Sequence, residues 1–213
     1  MSATLSRWSI VVAVVAVLGV AAWVGASAWQ ASMVGVSSTE LVECADPESI
    51  VPAGERLQAD TDPQDRTDAS QAVWMDQRLD CVLRTQVVSS ADVAIEVERL
   101  EWPLLGPESG MGASLSWAVQ GGPELVPDAY GGKLDAVFDT VGFGAIEAGE
   151  SEHFAVRARF NGTCNSPGEG GVANSPIATI QVLGLSHTVR ATGHGVGLKV
   201  ADGTECDDTV DAS

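Results

Sequence analysis

Between Arg7 and Glu40 the chain carries no charged residue, and the stretch Ile10 to Val24 is almost wholly Val, Ala, Leu and Gly. No other feature limits the fold as much. A charged side chain at the centre of a bilayer costs roughly 2.5–3.5 kcal/mol on insertion scales, so a long run free of charge reads as a segment suited to hydrocarbon. The rest of the chain then has to fold on one side of that segment.

Two readings of the segment compete. From Trp8 to Trp29 it holds about 20 residues, enough at about 1.5 Å per residue to cross roughly 30 Å of hydrocarbon. Trp8 and Trp29 bracket it, and indole rings favour the headgroup region. The alternative is a cleaved secretory signal, in which Arg7 forms the n-region and Ala26-Ser27-Ala28 a small-residue cleavage site. The apolar run is long for a signal h-region, and cleavage after Ala28 leaves the bulky Trp29 as a new N-terminus, so the anchor is favoured. Arg7 is the only basic residue before Arg56, which places the short N-terminus inside and the C-terminal bulk outside under either reading. Cys44 follows Leu41-Val42-Glu43, a context that does not fit a lipidation box.

The 213 residues carry a net charge of −18, unevenly placed. Residues 40–80 hold eleven acidic and three basic side chains, and residues 202–213 hold five acidic and none basic. The acidity therefore belongs to the segment after the helix and to the C-terminal tail. A field of this sign repels nucleic acid, so no nucleic-acid partner is expected. Two lysines against nine arginines, with abundant Ala, Val, Gly and Asp, suggest a GC-rich bacterial genome. Four cysteines facing an oxidising compartment default to two disulfides. Cys44, Cys81, Cys164 and Cys206 are mutually distant and form no C-x-x-C, which argues against a redox pair or a zinc ribbon. Of the three possible pairings, Cys44 with Cys81 and Cys164 with Cys206 is favoured. Each closes a loop of roughly 40 residues, worth on the order of 3–4 kcal/mol in the chain-entropy account.

Residues 40–67, with Pro47, Pro52, Gly54, Pro63 and many acids, show no apolar period and read as a spacer. Asp68 is placed to cap a short helix over about 69–79, with Ala72, Met75 and Leu79 on one face. From Cys81 the period becomes two: Cys81, Leu83, Thr85 and Val87 alternate with Arg84 and Gln86. Val93, Ile95 and Val97 share one parity, but Leu100 and Trp102 have the other, and one inserted residue near Glu98-Arg99 reconciles them as a β-bulge. Further strands are expected at 113–119, 134–139, 154–160, 177–183, 187–191 and 196–200, separated by glycine turns.

The order Cys81, Trp102, Cys164 is similar to the cysteine–tryptophan–cysteine order of immunoglobulin domains, with wider spacings and with Gly162 where a corner tyrosine would stand. The resemblance implies an architecture only. Trp102 and Trp117 read as core aromatics. Gly193-His194-Gly195-Val196-Gly197 lacks the spacing of a phosphate loop and reads as a turn. Asp60, Asp62, Asp65 and Asp68 put Asp65 and Gln71 where a calcium loop needs glycine and glutamate, and Asp202, Glu205, Asp207 and Asp208 in the tail show no better calcium pattern. His153, His187 and His194 are the only histidines, with no H-E-x-x-H and no G-x-S-x-G. His153 and His187 read as surface residues. Asn161-Gly162-Thr163 matches a glycosylation sequon.

The expected layout is a cytoplasmic N-terminus at 1–8, a transmembrane signal-anchor helix at 9–29, an acidic extracytoplasmic stalk at 30–72, a β-sandwich domain at 73–206 and an acidic tail at 207–213. The fold class is an N-terminal transmembrane helix followed by an all-β domain, an antiparallel sandwich of immunoglobulin-like architecture with about 7–9 strands. No catalytic residue, metal site or cofactor is expected. The expected partners are the membrane and an envelope protein or cell-wall polymer. The alternatives are a secreted or anchored hydrolase with a site built from loops such as 103–112 and 140–152, and a calcium-responsive envelope domain.

Overall fold

A computed structural model describes residues 2–38, 42–52, 71–103, 136–139, 144–159, 170–173, 175–192, 196–202 and 204. Its first element is the helix α1, Ser2–Ala31. Within it, Ile10–Ala31 is long and apolar enough to cross a membrane. The side chains of Ile10, Val12, Val15, Val17 and Leu18 are all more than half exposed. Apolar surface of that extent is stable in lipid and costly in water.

The helix stops where its sequence changes. The Ser32 hydroxyl donates to Trp29 O at 2.6 Å, satisfying a terminal carbonyl from within the chain. After Met33 the chain runs straight into β1 (Val34–Ser38), whose alternating valines Val34 and Val36 are buried. Strand β2 (Glu43–Cys44) and a 3-10 turn at Pro47–Ser49 follow. The stalk expected at 30–72 is thus corrected at its start, because β1 and β2 lie within the domain. Val42 and Val51 are also buried, a burden of apolar side chains that a solvated spacer would not carry. The acidic stretch 53–70 lies outside the described residues.

Ten more pieces of strand complete the described domain: β3 (Gln71–Met75), β4 (Asp80–Ser89), β5 (Ile95–Trp102), β6 (Ala136–Asp139), β7 (Ala145–Ile146), β8 (Ser151–Arg159), β9 (Gly170–Ala173), β10 (Ile177–Val182) and β11 (Leu185–Arg190), with β12 (Val196–Val200) as the last. They form three sheets. In the first, β4 is central, with β8 along one edge and β1 and β2 in line along the other. The second runs β11-β10-β5, with β6 and β7 both on the far edge of β5. The third is β3-β12-β9, and its β3–β12 pair is parallel. That parallel pair corrects the expectation of a purely antiparallel sandwich. The twelve strands among the described residues exceed the seven to nine expected, because short pieces such as β2 and β7 leave no legible period.

The first two sheets share one core. Val34, Val36, Val87 and Phe154 from the first pack with Ile95, Val97, Leu100, Ala178, Ile180 and Val182 from the second. Ala31 of α1 belongs to the same cluster, so the helix end is part of the domain's interior. A cross-link between the sheets comes from Thr192, whose N–H donates to Val36 O at 2.8 Å.

Two local expectations met opposite outcomes. Along β10, Thr179 faces Arg99 and Ile180 faces Val97, so Glu98 is the extra residue of a bulge in β5. It switches the buried parity from Ile95 and Val97 to Leu100 and Trp102, as expected from the sequence. The helix expected over 69–79 is instead β3. Ala72 and Met75 are buried there as a helical face would have them, but so is Val73, and the segment pairs along its length with β12. Tertiary pairing overrode a weak period, helped by the strand-favouring Val73 and Trp74. Trp74 also receives the Lys199 ammonium at 4.8 Å from its ring centroid, directly across the ladder. The strand expected at 113–119 lies outside the described residues.

Candidate functional site at the junction of helix and domain

The last turns of α1 are tied to the β10–β11 hairpin by side chains that a lipid-facing helix has no need of. Ser27 is fully buried. Its hydroxyl donates to Val182 O at 2.7 Å and lies 2.7 Å from Nε2 of His187. A serine hydroxyl has one proton, and the Val182 carbonyl takes it, so Nε2 of His187 must carry the proton that it donates to Ser27 Oγ. One turn earlier, the Trp23 indole N–H donates to Leu183 O at 3.1 Å. One turn later, Gln30 Oε1 accepts from the Asp92 backbone N–H at 2.9 Å. Positions 23, 27 and 30 recur at intervals of four and three, so one face of the helix makes all three attachments.

His187 therefore differs from its reading as a surface residue. It lies within β11, half-buried, opposite Ile180 in the ladder. The missed signal was Ser27, a polar residue in an otherwise apolar stretch of the helix. His153 is exposed on β8 opposite Gln86, as a surface residue should be. His194 lies outside the described residues.

The hairpin tip has its own peculiarity. Val182 and Leu185 close a two-residue turn, and both central residues have positive φ, 52° at Leu183 and 79° at Gly184. Glycine adopts that geometry without strain and suits the second place. Leucine does not suit the first, where Asn, Asp or Gly is the usual choice. Leu183 is nevertheless 41% exposed.

A second cluster surrounds the one disulfide among the described residues. Cys44 and Cys81 face each other in the β2–β4 ladder and are bonded, as expected. Cys164 and Cys206 lie outside the described residues. Beside the disulfide is a shallow depression lined by Asp46, Arg78, Asp80 and Arg159 among others. Its charges are spent on one another. Asp80 accepts two hydrogen bonds from the Arg157 guanidinium, and Arg159 lies 3.5 Å away. Those bonds, with the attraction of both arginines outweighing the cost of partial burial, hold the Asp80 carboxyl below the ordinary aspartate range. Arg78 is bonded to Asp76 at 2.7 Å and Glu48 at 3.2 Å, and its guanidinium is pushed up chiefly by the Asp76 hydrogen bond. This is an ion-pair network bracing the end of β4, with no nucleophile in it. Among the described residues no three His, Cys, Asp or Glu side chains converge as metal ligands would. Asp60, Asp62, Asp65 and Asp68 lie outside the described residues.

No family model matches the chain, and no curated protein matches it. Among solved structures, a GH20 exo-β-N-acetylglucosaminidase from Vibrio harveyi is similar over 61% of this chain and 18% of its own, at 12% identity and a TM-score of 0.32. The Pseudomonas fluorescens alkylpurine DNA glycosylase AlkC, bound to DNA with an abasic-site analogue, is similar over 79% of this chain and 31% of its own, at 10% identity and a TM-score of 0.29. The chain thus spans less than a third of the length of either protein, and likenesses this distant assign it neither a fold family nor an activity.

Proposed function

We propose that this chain is a single-pass envelope protein, held uncleaved in the membrane by α1, whose outward β-domain serves as a non-catalytic binding or structural module. The observation that carries the anchor is Ser27. It is the middle residue of the Ala26-Ser27-Ala28 cleavage motif, and it is buried and bonded to the domain. A signal peptidase needs its site extended and accessible. Here the site is helical, and its middle residue is buried against β10 and β11, so cleavage would remove part of the domain's own packing.

The non-catalytic reading rests on chemistry. The one hydroxyl–imidazole pair at the junction, Ser27 with His187, is buried at the serine and spends its hydroxyl proton on Val182 O, while the charged groups in the depression by the disulfide are paired with one another. Recognition would then fall to strand edges and loops, with an envelope protein or a cell-wall polymer as partner. The test is crosslinking in intact membranes with identification of the captured species, alongside a hydrolase substrate panel on the purified chain. A reproducible adduct to one envelope protein or to wall polymer supports the proposal. Turnover of any substrate that a single Ser, Asp, Glu or His substitution abolishes overturns it.

A further inference from the structure

We infer that the tip of the β10–β11 hairpin is a second membrane contact, seated in the outer leaflet beside α1, so that the domain rests on the lipid surface at two points. This rests on the reading of α1 as a membrane anchor.

Depth along the helix comes first. Arg7 marks the inner boundary, and about 20 residues of helix cross a hydrocarbon layer of about 30 Å. Counted from Trp8, the outer boundary falls near Ser27, which puts Trp23 about 6 Å below it. Yet the Trp23 indole N–H is bonded to Leu183 O, and the ring lies 4.0 Å from where a Cβ on Gly184 would stand. The hairpin tip therefore shares the depth of Trp23, within the roughly 5–10 Å that interfacial segments reach.

The composition of the tip agrees. From Ile177 to Leu185 the chain has no charged residue, and the tip reads Val182-Leu183-Gly184-Leu185. An exposed leucine occupies a left-handed backbone conformation that is costly for any residue with a Cβ, at a turn where Asn or Gly would also be more soluble. That cost is explained if the leucine side chain enters lipid.

The backbone is also prepared for a medium without water. The carbonyls of Val182 and Leu183 accept from the Ser27 hydroxyl and the Trp23 indole, the satisfaction that hydrocarbon demands. One rung above the tip the surface turns polar. Gln181 and Ser186 both donate to the Glu98 carboxylate, at 2.9 and 2.8 Å, where headgroups would lie.

The test places a photoreactive benzoylphenylalanine at single positions in the full chain, reconstituted in vesicles of phosphatidylethanolamine and phosphatidylglycerol, with adducts read by mass spectrometry. Leu183→benzoylphenylalanine tests the tip. Val17→benzoylphenylalanine reports on the helix, and Gln77→benzoylphenylalanine, in the turn at the far end of β4, reports background. The expected result is lipid adducts at 183 and 17, each several-fold above those at 77. Adducts at 17 with only background at 183 overturn the tip contact and leave the anchor standing. Background at both positions overturns the anchor and the tip contact with it. A species of doubled mass at 183 in place of lipid adducts shows that a second copy covers the tip, and also overturns the inference.

Discussion

At the scale of single residues, three polar groups decide most of what is distinctive. Ser27 is the first. Ser27→Ala leaves Val182 O and the His187 N–H without their partner and is expected to cost about 1–3 kcal/mol, read as a lowered unfolding midpoint of the domain. Thr85 is the second: it sits on the buried face of β4, and its hydroxyl has no hydrogen-bond partner among the described residues. Thr85→Val keeps the shape, removes the desolvated hydroxyl and should raise stability by about 1 kcal/mol, measured by denaturant titration. Asp80 is the third. Its folded pKa lies below the ordinary value of 3.8, so its contribution is fully present above that value and is lost as the pH falls through the lowered one. Asp80→Asn should lower Tm by roughly 2–4 °C at neutral pH, and the gap from the parent should close in acid. A gap constant from pH 7 to pH 2 would contradict the ion pair as its source.

At the scale of elements, strands with a clean period were legible before any coordinates. The buried parity of β4, the bulge at Glu98 and the bounds of β12 follow from alternation alone. β3 was misread because Ala72, Met75 and Leu79 fit a helical face by coincidence, and only the pairing of Gln71–Met75 with Val196–Val200 decides between the two periods. β1 was misread because Val34 and Val36 lie between an apolar helix and an acidic stretch, where two valines carry too little pattern to count. The hairpin lock was illegible for a different reason: Ser27 and His187 are 160 residues apart, and nothing local announces their meeting. For the cysteines, by contrast, an even number and the outward reading of the domain pointed to disulfides, and Cys44–Cys81 was the favoured choice among three pairings. That bond spans 37 residues between β2 and β4. Replacing both cysteines with serine should cost on the order of 3–4 kcal/mol and free β2 first, seen as faster amide exchange at Cys44 and Ala45 than at Val87.

At the scale of the whole molecule, the helix and the β-domain form one body. The charge-free run between Arg7 and Glu40 does two jobs: its first part offers apolar surface outward, and its last turns enter the domain through Trp23, Ser27, Gln30 and Ala31. In this account the domain has no long tether. On the proposed reading of α1 as an anchor, it would ride directly on the membrane, with the far end of β4 and its ion-pair network facing away. The central claim is that the chain remains whole because Ser27, in the middle of the Ala26-Ser27-Ala28 cleavage motif, is built into the fold. Intact mass of the protein recovered from carbonate-washed membranes tests that claim most directly. The account predicts the full 22.0 kDa chain in the membrane pellet. A soluble product beginning at Trp29 would contradict it.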